Sequence, residues 1–261
     1  MSLVSWLFVD LNSYFASVEQ ELKPHLRGKP VAVVPTMTDY TSCIAASYEA
    51  KAFGVKTGTL VADAKRMCPG IIFIEGDHKS YGDYHNRIVA AVESCHPVHS
   101  IMSIDEVALH LRGRDQNIKN AVELADQVRA AIFKVGSQLK CSIGISTNKF
   151  LAKVASDYQK PNGLTVIRKE DLPAKLLTLK PRSLPGIGAR MEERLHAQGI
   201  FTMEQLLNQD IKMMRKIWGG VVGERFYKWL RGEDFDLLST DAHKSLNRSH
   251  VLAPEHRNDT A

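Results

Sequence analysis

The sequence predicts an α+β protein whose main sheet follows a split βαβ arrangement. A strongly amphipathic helical pattern at 120–136 lies among apolar runs that are typical of buried strands, at 3–9, 141–147 and 164–167. Antiparallel central strands that carry two helices on one face fit this order of elements. With 261 residues, 44% of them hydrophobic and 24% charged, the chain is long and apolar enough for one large or two to three small domains.

The first third of the chain predicts a strand, a helix and a small insert. The strand at 3–9 ends beside Asp10, and the residues at 14–22 have helical spacing with acidic residues on the outer face. A turn at Gly28 precedes a second apolar strand at 31–34. Two alanine-rich helical stretches complete the insert, CIAASYEAKAFGV and TLVADAKRMCP.

The rest of the chain predicts a sheet and then a helical region. A helix is expected at 81–95, followed by a strand, VHSIMSIDEVALHL, that is interrupted by Asp105 and Glu106. After the strand at 164–167 the composition changes to short helices and glycine-containing turns, so a domain boundary is expected near 167.

Charge and cysteine content narrow the class of protein. A net charge of +5 suits a phosphate-rich partner without requiring one. The four cysteines form no CxxC pair and have no histidine at zinc-ligand spacing, which argues against a disulfide framework and a zinc site and favours buried thiols in a reducing cytosol. No apolar run reaches the roughly 18 residues that a membrane span needs.

Three acidic residues interrupt apolar strands and need an explanation. Asp10 follows the first strand, and Asp105 and Glu106 lie inside SIDEVAL. A carboxylate beside a buried strand costs several kcal/mol unless it is paired or bound to a cation, and oxygen ligands favour Mg²⁺ or Mn²⁺ over zinc. The residues alone leave an alternative equally open, in which Asp10 caps a helix at 12–22 and the other two acids form a solvent-facing turn.

Five stretches, in order along the chain, resemble the Y-family DNA polymerases, in the branch of the bacterial-type DNA polymerase IV and UmuC-like proteins. They cover residues 8 to about 230. The stretches are FVDLNSYFASVEQ, SYEAKAFGVKTGTLVADAKRMCP, MSIDEVALHL, CSIGISTNKFLAKVASDYQKPNGLTVI and LPGIGARMEERLHAQGI.

The resemblance implies a two-metal active site. Asp10, Asp105 and Glu106 match the catalytic metal ligands, and the backbone carbonyl of Leu11 would complete the nucleotide-side site. Two Mg²⁺ ions are expected, with Mn²⁺ as a substitute. One ion would activate the primer 3′-hydroxyl and the other would hold the triphosphate.

Further positions match residues that bind the nucleotide. Phe15 matches the aromatic residue that blocks a 2′-hydroxyl; the alternative is an ordinary core aromatic. Tyr48, Lys51 and Lys160 match the triphosphate contacts, although Lys51 stands where the family usually has arginine and a lone lysine is often a solvated surface cation.

The segment at the start of the first helix is expected to bind phosphate oxygens through its backbone amides. Its residues are Asn12, Ser13, Tyr14 and Phe15. Asn12 stands where the polymerase IV branch has aspartate and resembles the UmuC-like branch. Tyr14 is equally well explained as a core aromatic.

The stretch LPGIGARMEERL resembles a helix-hairpin-helix. Gly186, Ile187, Gly188 and Arg190 would contact a DNA phosphate without reading bases. The alternative is a glycine turn that only serves the packing of helices.

The resemblance also implies a domain plan: a ferredoxin-like palm at 1–18 and 78–166, fingers at 19–77 and a helical thumb at 167–238. A linker at 239–249 and the start of a truncated little-finger domain at 250–261 would follow, so weak DNA affinity is expected.

The implied function is template-directed, low-fidelity addition of dNTPs to a primer, with bypass of damaged template. The implied partners are primer-template DNA, dNTP and, in the full-length protein, a sliding clamp whose motif this sequence lacks. A cytoplasmic monomer is expected. The rival hypotheses are a nucleotide cyclase, which shares paired acids on such a palm, and an inactive polymerase-like scaffold.

Overall fold

A computed structural model of the chain describes residues 3–235. These residues form two compact units. The larger unit takes the residues up to Asn12, Arg87–Val135 and Lys140–Phe235, and the smaller takes Ser13–Asn86 and Gly136–Leu139. The end of the predicted thumb, the linker at 239–249 and the little-finger start at 250–261 lie outside the described residues.

The secondary structure alternates strands and helices through the first two thirds of the chain and is helical afterwards. In the first half the elements are β1 (Trp6–Leu11), α1 (Tyr14–Leu22), β2 (Val31–Val34), β3 (Ala45–Ala46), α2 (Tyr48–Lys51), α3 (Val61–Met67), β4 (Ile72–Glu75), α4 (His78–Glu93), β5 (Ser100–Ile101), β6 (Glu106–His110) and α5 (Ile118–Val135). They continue with β7 (Cys141–Ser146), α6 (Lys149–Tyr158), β8 (Leu164–Ile167), α7 (Ala174–Leu177), α8 (Ala189–His196), α9 (Met203–Leu207), α10 (Ile211–Trp218) and α11 (Val221–Trp229).

The larger unit contains a five-stranded sheet in the order β5-β6-β1-β7-β8. The central strand β1 is antiparallel to both β6 and β7, and β7 is parallel to β8. Every residue of β1 and of β7 is buried. This antiparallel centre with helices packed on it confirms the predicted α+β class.

Two expectations about the acidic residues were wrong in detail. β1 continues to Leu11, so Asp10 lies inside the strand instead of following it. Asp105 lies in the bend that connects β5 to β6, and only Glu106 belongs to a strand. The reversal between two antiparallel strands requires residues outside the ladder, and the bond from Met102 N–H to the Glu106 carbonyl, 2.9 Å, closes it.

Helix α6 packs directly on one face of this sheet. Ala152 of the helix joins Trp6, Phe8 and Ala108 of the strands in a buried cluster. A Cβ atom on Gly144 of β7 would lie far inside van der Waals contact of the Ala152 carbonyl oxygen. Only glycine therefore allows α6 to approach the sheet this closely.

The other face of α6 belongs to the core of the helices that follow. The side chains of Leu151, Val154 and Ala155 pack with apolar residues from α7 to α11. Far along the chain, Trp6 Nε1 donates to both carboxylate oxygens of Asp234 at 3.0 Å, which joins the end of the helical region to β1. The sheet and the helical region are thus connected within the larger unit.

The smaller unit contains a three-stranded sheet in the order β3-β2-β4, with β2 parallel to β4 and antiparallel to β3. Small side chains, among them Ala32, Ala46 and Ala64, form its core with Cys43 and Cys68. The three strands, with α2 and α3, lie within the segment that the sequence predicts as a small insert of strands and helices. Across the described residues of both units, no helix has the length and hydropathy that crossing a membrane requires.

Gly144→Ala tests the close approach of α6. The added methyl group would collide with backbone atoms, so we expect a loss of about 3 kcal/mol in the free energy of unfolding. Urea denaturation measures it. Gly82→Ala, in α4, is the control, because nothing lies within 4 Å of its Cβ position. This control should gain up to about 1 kcal/mol from helix propensity. Equal stability of the two variants would contradict the assignment.

Candidate active site

The backbone brings the three predicted acids to one end of the central strands. Asp10 and Glu106 are direct cross-strand partners, so their side chains lie on the same face of the sheet. The Leu11 N–H donates to the Asp105 carbonyl at 2.9 Å, which holds the Asp105 bend against the end of β1. Asp105 itself accepts a hydrogen bond from the Ser103 hydroxyl. The fold thus brings Asp10 near two acids that are distant from it in the sequence.

Two lysines neutralise the most buried of these acids. Asp10 is only 4% exposed. The Lys160 Nζ lies 2.8 Å from its Oδ1, and the Lys153 Nζ contacts its Oδ2. Lys153 also lies 2.8 Å from Glu106 Oε1, and Asp157 accepts from both lysines. We call these five residues the lysine–carboxylate cluster. Sequence reasoning missed Lys153 and Asp157.

Both ammonium groups are charged at neutral pH. Burial acts to lower the pKa of Lys153, but the carboxylates of Asp10 and Asp157 outweigh it and hold that pKa above its ordinary value. The pKa of Lys160 is raised for the same reason, against the same effect of burial. The cluster therefore supplies the positive charge without which a buried carboxylate is costly.

The donor set fits a hard divalent cation. The carboxylate oxygens of Asp10, Asp105 and Glu106 are the kind of ligand that Mg²⁺ prefers. Two ammonium groups already supply positive charge at Asp10, where a bound cation would do so. Within residues 3–235 no three histidine, cysteine, aspartate or glutamate side chains converge as a ready ligand set. Cation binding at Asp10 and Glu106 thus requires the lysines to move.

Asn12 anchors the turn that carries Lys160. Its side chain is buried; its Nδ2 donates to the Ser142 hydroxyl at 3.1 Å, and its Oδ1 accepts from the Asn162 N–H at 2.7 Å. Ser142 in turn accepts from the Gly163 N–H at 3.3 Å. Asn162 takes the left-handed backbone conformation, with φ at 57°. Sequence reasoning missed Ser142, which lies in the buried strand β7.

These bonds do not support the direct nucleotide contact predicted for Asn12. Its backbone N–H donates to the Lys140 carbonyl at 2.7 Å, and its side-chain amide is used by the turn. A group whose donors and acceptors are engaged with the protein has little left for a ligand.

The start of α1 belongs to the smaller unit. Ser13 is the N-cap in the left-handed conformation, with φ at 50°, a strained state for a residue other than glycine. Its hydroxyl is buried and has no hydrogen-bond partner among the described residues. Tyr14 is buried and donates to the Tyr81 carbonyl at 2.7 Å, so its side chain is a core aromatic. Phe15 is half-buried and stacks on Tyr81, with ring centroids 4.3 Å apart.

The two other predicted triphosphate contacts share the single turn of α2. The Lys51 Nζ lies 4.4 Å from the centroid of the Tyr48 ring. The Ser47 hydroxyl caps the turn by accepting from the Ala50 N–H at 3.3 Å. A phenol and an ammonium group are therefore presented together by one capped turn of the smaller unit.

Comparison with known proteins identifies the family. The model of the impB/mucB/samB family matches residues 9–157, more than half of the chain, and the model described as the DNA polymerase-iota thumb domain matches residues 182–234. The chain belongs to the impB/mucB/samB family of Y-family DNA polymerases.

Its relatives include proteins named DNA polymerase IV. The one from Moorella thermoacetica is 38% identical over 259 residues, which cover 97% of this chain and 64% of that protein. The one from Pelotomaculum thermopropionicum is 36% identical over 230 residues, which cover 88% of this chain and 57% of that protein. This Y-family chain therefore spans about three fifths of the length of these relatives.

Solved structures of similar proteins include an insertion ternary complex of Dbh DNA polymerase, with a TM-score of 0.77 and 31% identity. The match covers 87% of this chain and 67% of that one. DinB from Sulfolobus solfataricus matches with a TM-score of 0.75 and 31% identity, over 87% of this chain and 66% of that one.

The predicted hairpin lies ahead of α8 in this Y-family chain. Gly186 has φ at 84°, which favours glycine, and Gly188 is the N-cap of α8. Ile187 is buried in the helical core. Its side chain therefore anchors the turn in the helical core, and the backbone contact with a DNA phosphate expected at this turn stays a prediction. Arg190 in the first turn of α8 is exposed.

A second glycine turn, between α10 and α11, was missed by sequence reasoning. Gly219 and Gly220 both have positive φ, at 78° and 133°. A Cβ on Gly223 would collide with the Met214 backbone, so the two helices pack closely beside the turn. The stretch GGVVG was the available signal.

Asn12→Ala tests the anchoring of the turn at 159–163. Truncation leaves the Asn162 N–H without its acceptor, and we expect a loss of about 2 kcal/mol in the free energy of unfolding, measured with urea. Asn120→Ala is the matched control, because this Asn donates a single bond, to the Arg114 carbonyl at 2.8 Å, at the surface. The control should lose less than about 1 kcal/mol. A smaller loss for Asn12→Ala than for the control would contradict the anchor.

Proposed function

We propose that this chain is the catalytic part of a low-fidelity, template-directed DNA polymerase that adds dNTPs to a primer 3′ end and bypasses damaged template in DNA repair. The observation that carries the proposal is that the backbone places Asp10, Asp105 and Glu106 at the same end of β1 and β6. Family membership supports the same chemistry. Because the chain spans only part of its relatives, the activity of the whole protein is part of this proposal.

Two Mg²⁺ ions, or Mn²⁺ in their place, would be held by the three acids and the Leu11 carbonyl. Bound there, they would lower the pKa of the primer hydroxyl and neutralise charge on the triphosphate. The protein's own contribution is orientation. Pairing of Asp10 with Glu106 across the strands fixes two ligands, and the Leu11 N–H bond fixes the third at Asp105.

The triphosphate would be bound by Lys160, Tyr48 and Lys51. In this structure the Lys160 ammonium group forms ion pairs with Asp10 and Asp157. Binding of the triphosphate would replace these carboxylate oxygens with phosphate oxygens. Asn12 contributes indirectly, because it holds the turn that carries Lys160. The backbone amides of Ser13, Tyr14 and Phe15 lie at the start of α1, where the helix dipole favours phosphate oxygens.

Phe15 would discriminate between deoxyribose and ribose. Its stacking on Tyr81 and its edge contact with His78, with centroids 6.2 Å apart, leave the ring little freedom to turn away. A rigid ring under the sugar would reject an added 2′-hydroxyl by bulk and by leaving it without a hydrogen-bond partner.

Primer-template DNA is the proposed partner. The turn at Gly186 and Gly188, with Arg190, would contact the DNA backbone without base specificity. The Dbh complex named above is described as an insertion ternary complex.

The proposed plan keeps the palm at 1–18 and 78–166, the fingers at 19–77, the thumb at 167–238, the linker at 239–249 and the little finger from 250. We also propose that the full-length protein binds a sliding clamp and that the protein is a monomer.

The proposed compartment is the cytoplasm. All four cysteines are free thiols, and burial raises the pKa of the Cys141 thiol to about 12, which keeps it protonated. Inert thiols suit a reducing compartment.

Primer extension with Mg²⁺ and the four dNTPs tests the polymerase proposal. Asp105→Asn removes a charge from the proposed metal site with little change in shape, and we expect extension to fall at least about 100-fold, as when a group that stabilises transition-state charge is removed. Asp126→Asn on α5 is the control and should extend the primer at the wild-type rate. Equal rates for the wild type and Asp105→Asn would refute the site. No extension by the wild type would refute the proposal for this chain.

Phe15→Ala tests the sugar discrimination separately. Removing the ring should raise the rate of ribonucleotide incorporation relative to deoxyribonucleotide by about 100-fold, the scale on which a pocket rejects an added hydroxyl. Single-nucleotide incorporation with ATP and dATP measures the ratio. Phe133→Ala, at an exposed side chain of α5, should leave it unchanged. An unchanged ratio in Phe15→Ala would assign the ring to the core alone.

A further inference from the structure

Lys153 occupies the centre of the lysine–carboxylate cluster and has no part in the proposed reaction. It lies on the middle of α6, and its side chain is 18% exposed. Its Nζ contacts Asp10 Oδ2, lies 2.8 Å from Glu106 Oε1 and 3.2 Å from Asp157 Oδ2. The same Nζ lies 5.5 Å from the centroid of the Phe8 ring. One ammonium group thus bridges both acids of the cross-strand pair.

We propose that Lys153 is a positioning residue, a built-in cation that holds Asp10 and Glu106 together until a divalent ion displaces it onto Asp157. This inference rests on the proposed function, because it assigns the ion to the same acids. It adds the state of the site before the ion binds and a residue that controls the affinity for the ion.

The carboxylates of Asp10 and Glu106 repel each other. Asp10 and Glu106 are opposite each other on adjacent strands, and like charges in such a pair are destabilising. Burial of Asp10 strengthens the effect, because water screens the charges less. Lys153 supplies the compensating charge from α6, which is held close to the sheet by Gly144.

Lys153 and a divalent ion would compete for the same carboxylate oxygens. Lys153 contacts the Oδ2 of Asp10 and the Oε1 of Glu106, and an ion held by Asp10 and Glu106 would need oxygens from the same two carboxylates. The ammonium group and the ion repel each other at such short range. Occupation by one therefore lowers the affinity for the other.

A displaced Lys153 would still have Asp157 as its partner. Asp157 lies one helical turn after Lys153, an i,i+4 pair on the same face of α6. Its side chain is 36% exposed, and it already contacts Lys153 and Lys160. A rotation of the lysine side chain therefore keeps one carboxylate partner, and α6 does not have to move.

Metal affinity is the decisive measurement. Mn²⁺ binding to the DNA-free chain is titrated by electron paramagnetic resonance for the wild type, Lys153→Met, Lys153→Gln and Asp157→Asn. We expect both neutral variants at 153 to bind Mn²⁺ at least about tenfold more tightly, because a competing charge is removed. Asp157→Asn should bind it more weakly, because the lysine loses its alternative partner.

Thermal unfolding separates this role from ordinary packing. Lys153→Met should have a lower Tm than the wild type in EDTA, and saturating Mn²⁺ should remove most of the difference. A merely structural lysine would give the same deficit with and without the ion. Lys149→Met is the matched control: it lies one turn earlier on α6, with its Nζ 5.3 Å from the Trp6 ring centroid and away from the acids. Its Mn²⁺ affinity should equal that of the wild type.

The outcomes distinguish this proposal from the proposed function. Unchanged or weaker Mn²⁺ binding in both Lys153 variants, with primer extension that still depends on Asp105, overturns the built-in cation alone. If the wild type neither extends a primer nor binds Mn²⁺, the proposed function is overturned and this inference with it. If Lys153→Met fails to fold in EDTA, the polar Lys153→Gln variant gives the same test.

Discussion

A carboxylate buried on the central strand of the sheet is the constraint on which this site depends. Asp10 is 4% exposed, and no sheet neighbour of β1 offers it a positive charge. The compensation comes from Lys153 on α6 and Lys160 on the following turn. A separate contact positions each lysine. The close approach at Gly144 brings α6 to the sheet, and the Asn12 side-chain amide holds the turn that carries Lys160. The position of the acid thus explains features that otherwise look unrelated.

Helix α6 connects the chemistry to the rest of the larger unit. One face of the helix carries Ala152 and Lys153 to the sheet, and the other buries Leu151 and Val154 in the helical core. A rigid element with two packed faces transmits displacement at one face to the other. Packing on both faces thus fixes the position of the helix that carries Lys153 to the acids.

The sequence predicted the elements better than their chemistry. The strand at 31–34 and the helix at 14–22 were predicted with their observed bounds, because apolar periodicity reports burial directly. Lys153 and Asp157 were missed because an i,i+4 pair of opposite charge usually marks a solvated helix face. Asn12 and Ser142 were missed as a pair because nothing local relates residues 130 positions apart. The roles of Phe15, Tyr48 and Lys51 stay predictions, since they concern groups outside the protein.

The sheet of the larger unit also governs how the chain is able to fold. Its central strand β1 pairs with β6 and β7, and Trp6 bonds to Asp234, 228 residues later. Such distant pairings give a high contact order, which slows folding because long loops must close before their contacts form. During synthesis β1 leaves the ribosome long before β6 and β7 have been made. Its apolar run therefore lacks its partner strands during that period. An apolar strand without its partners is prone to aggregation, so this order of synthesis exposes the nascent chain to that risk until β7 is made.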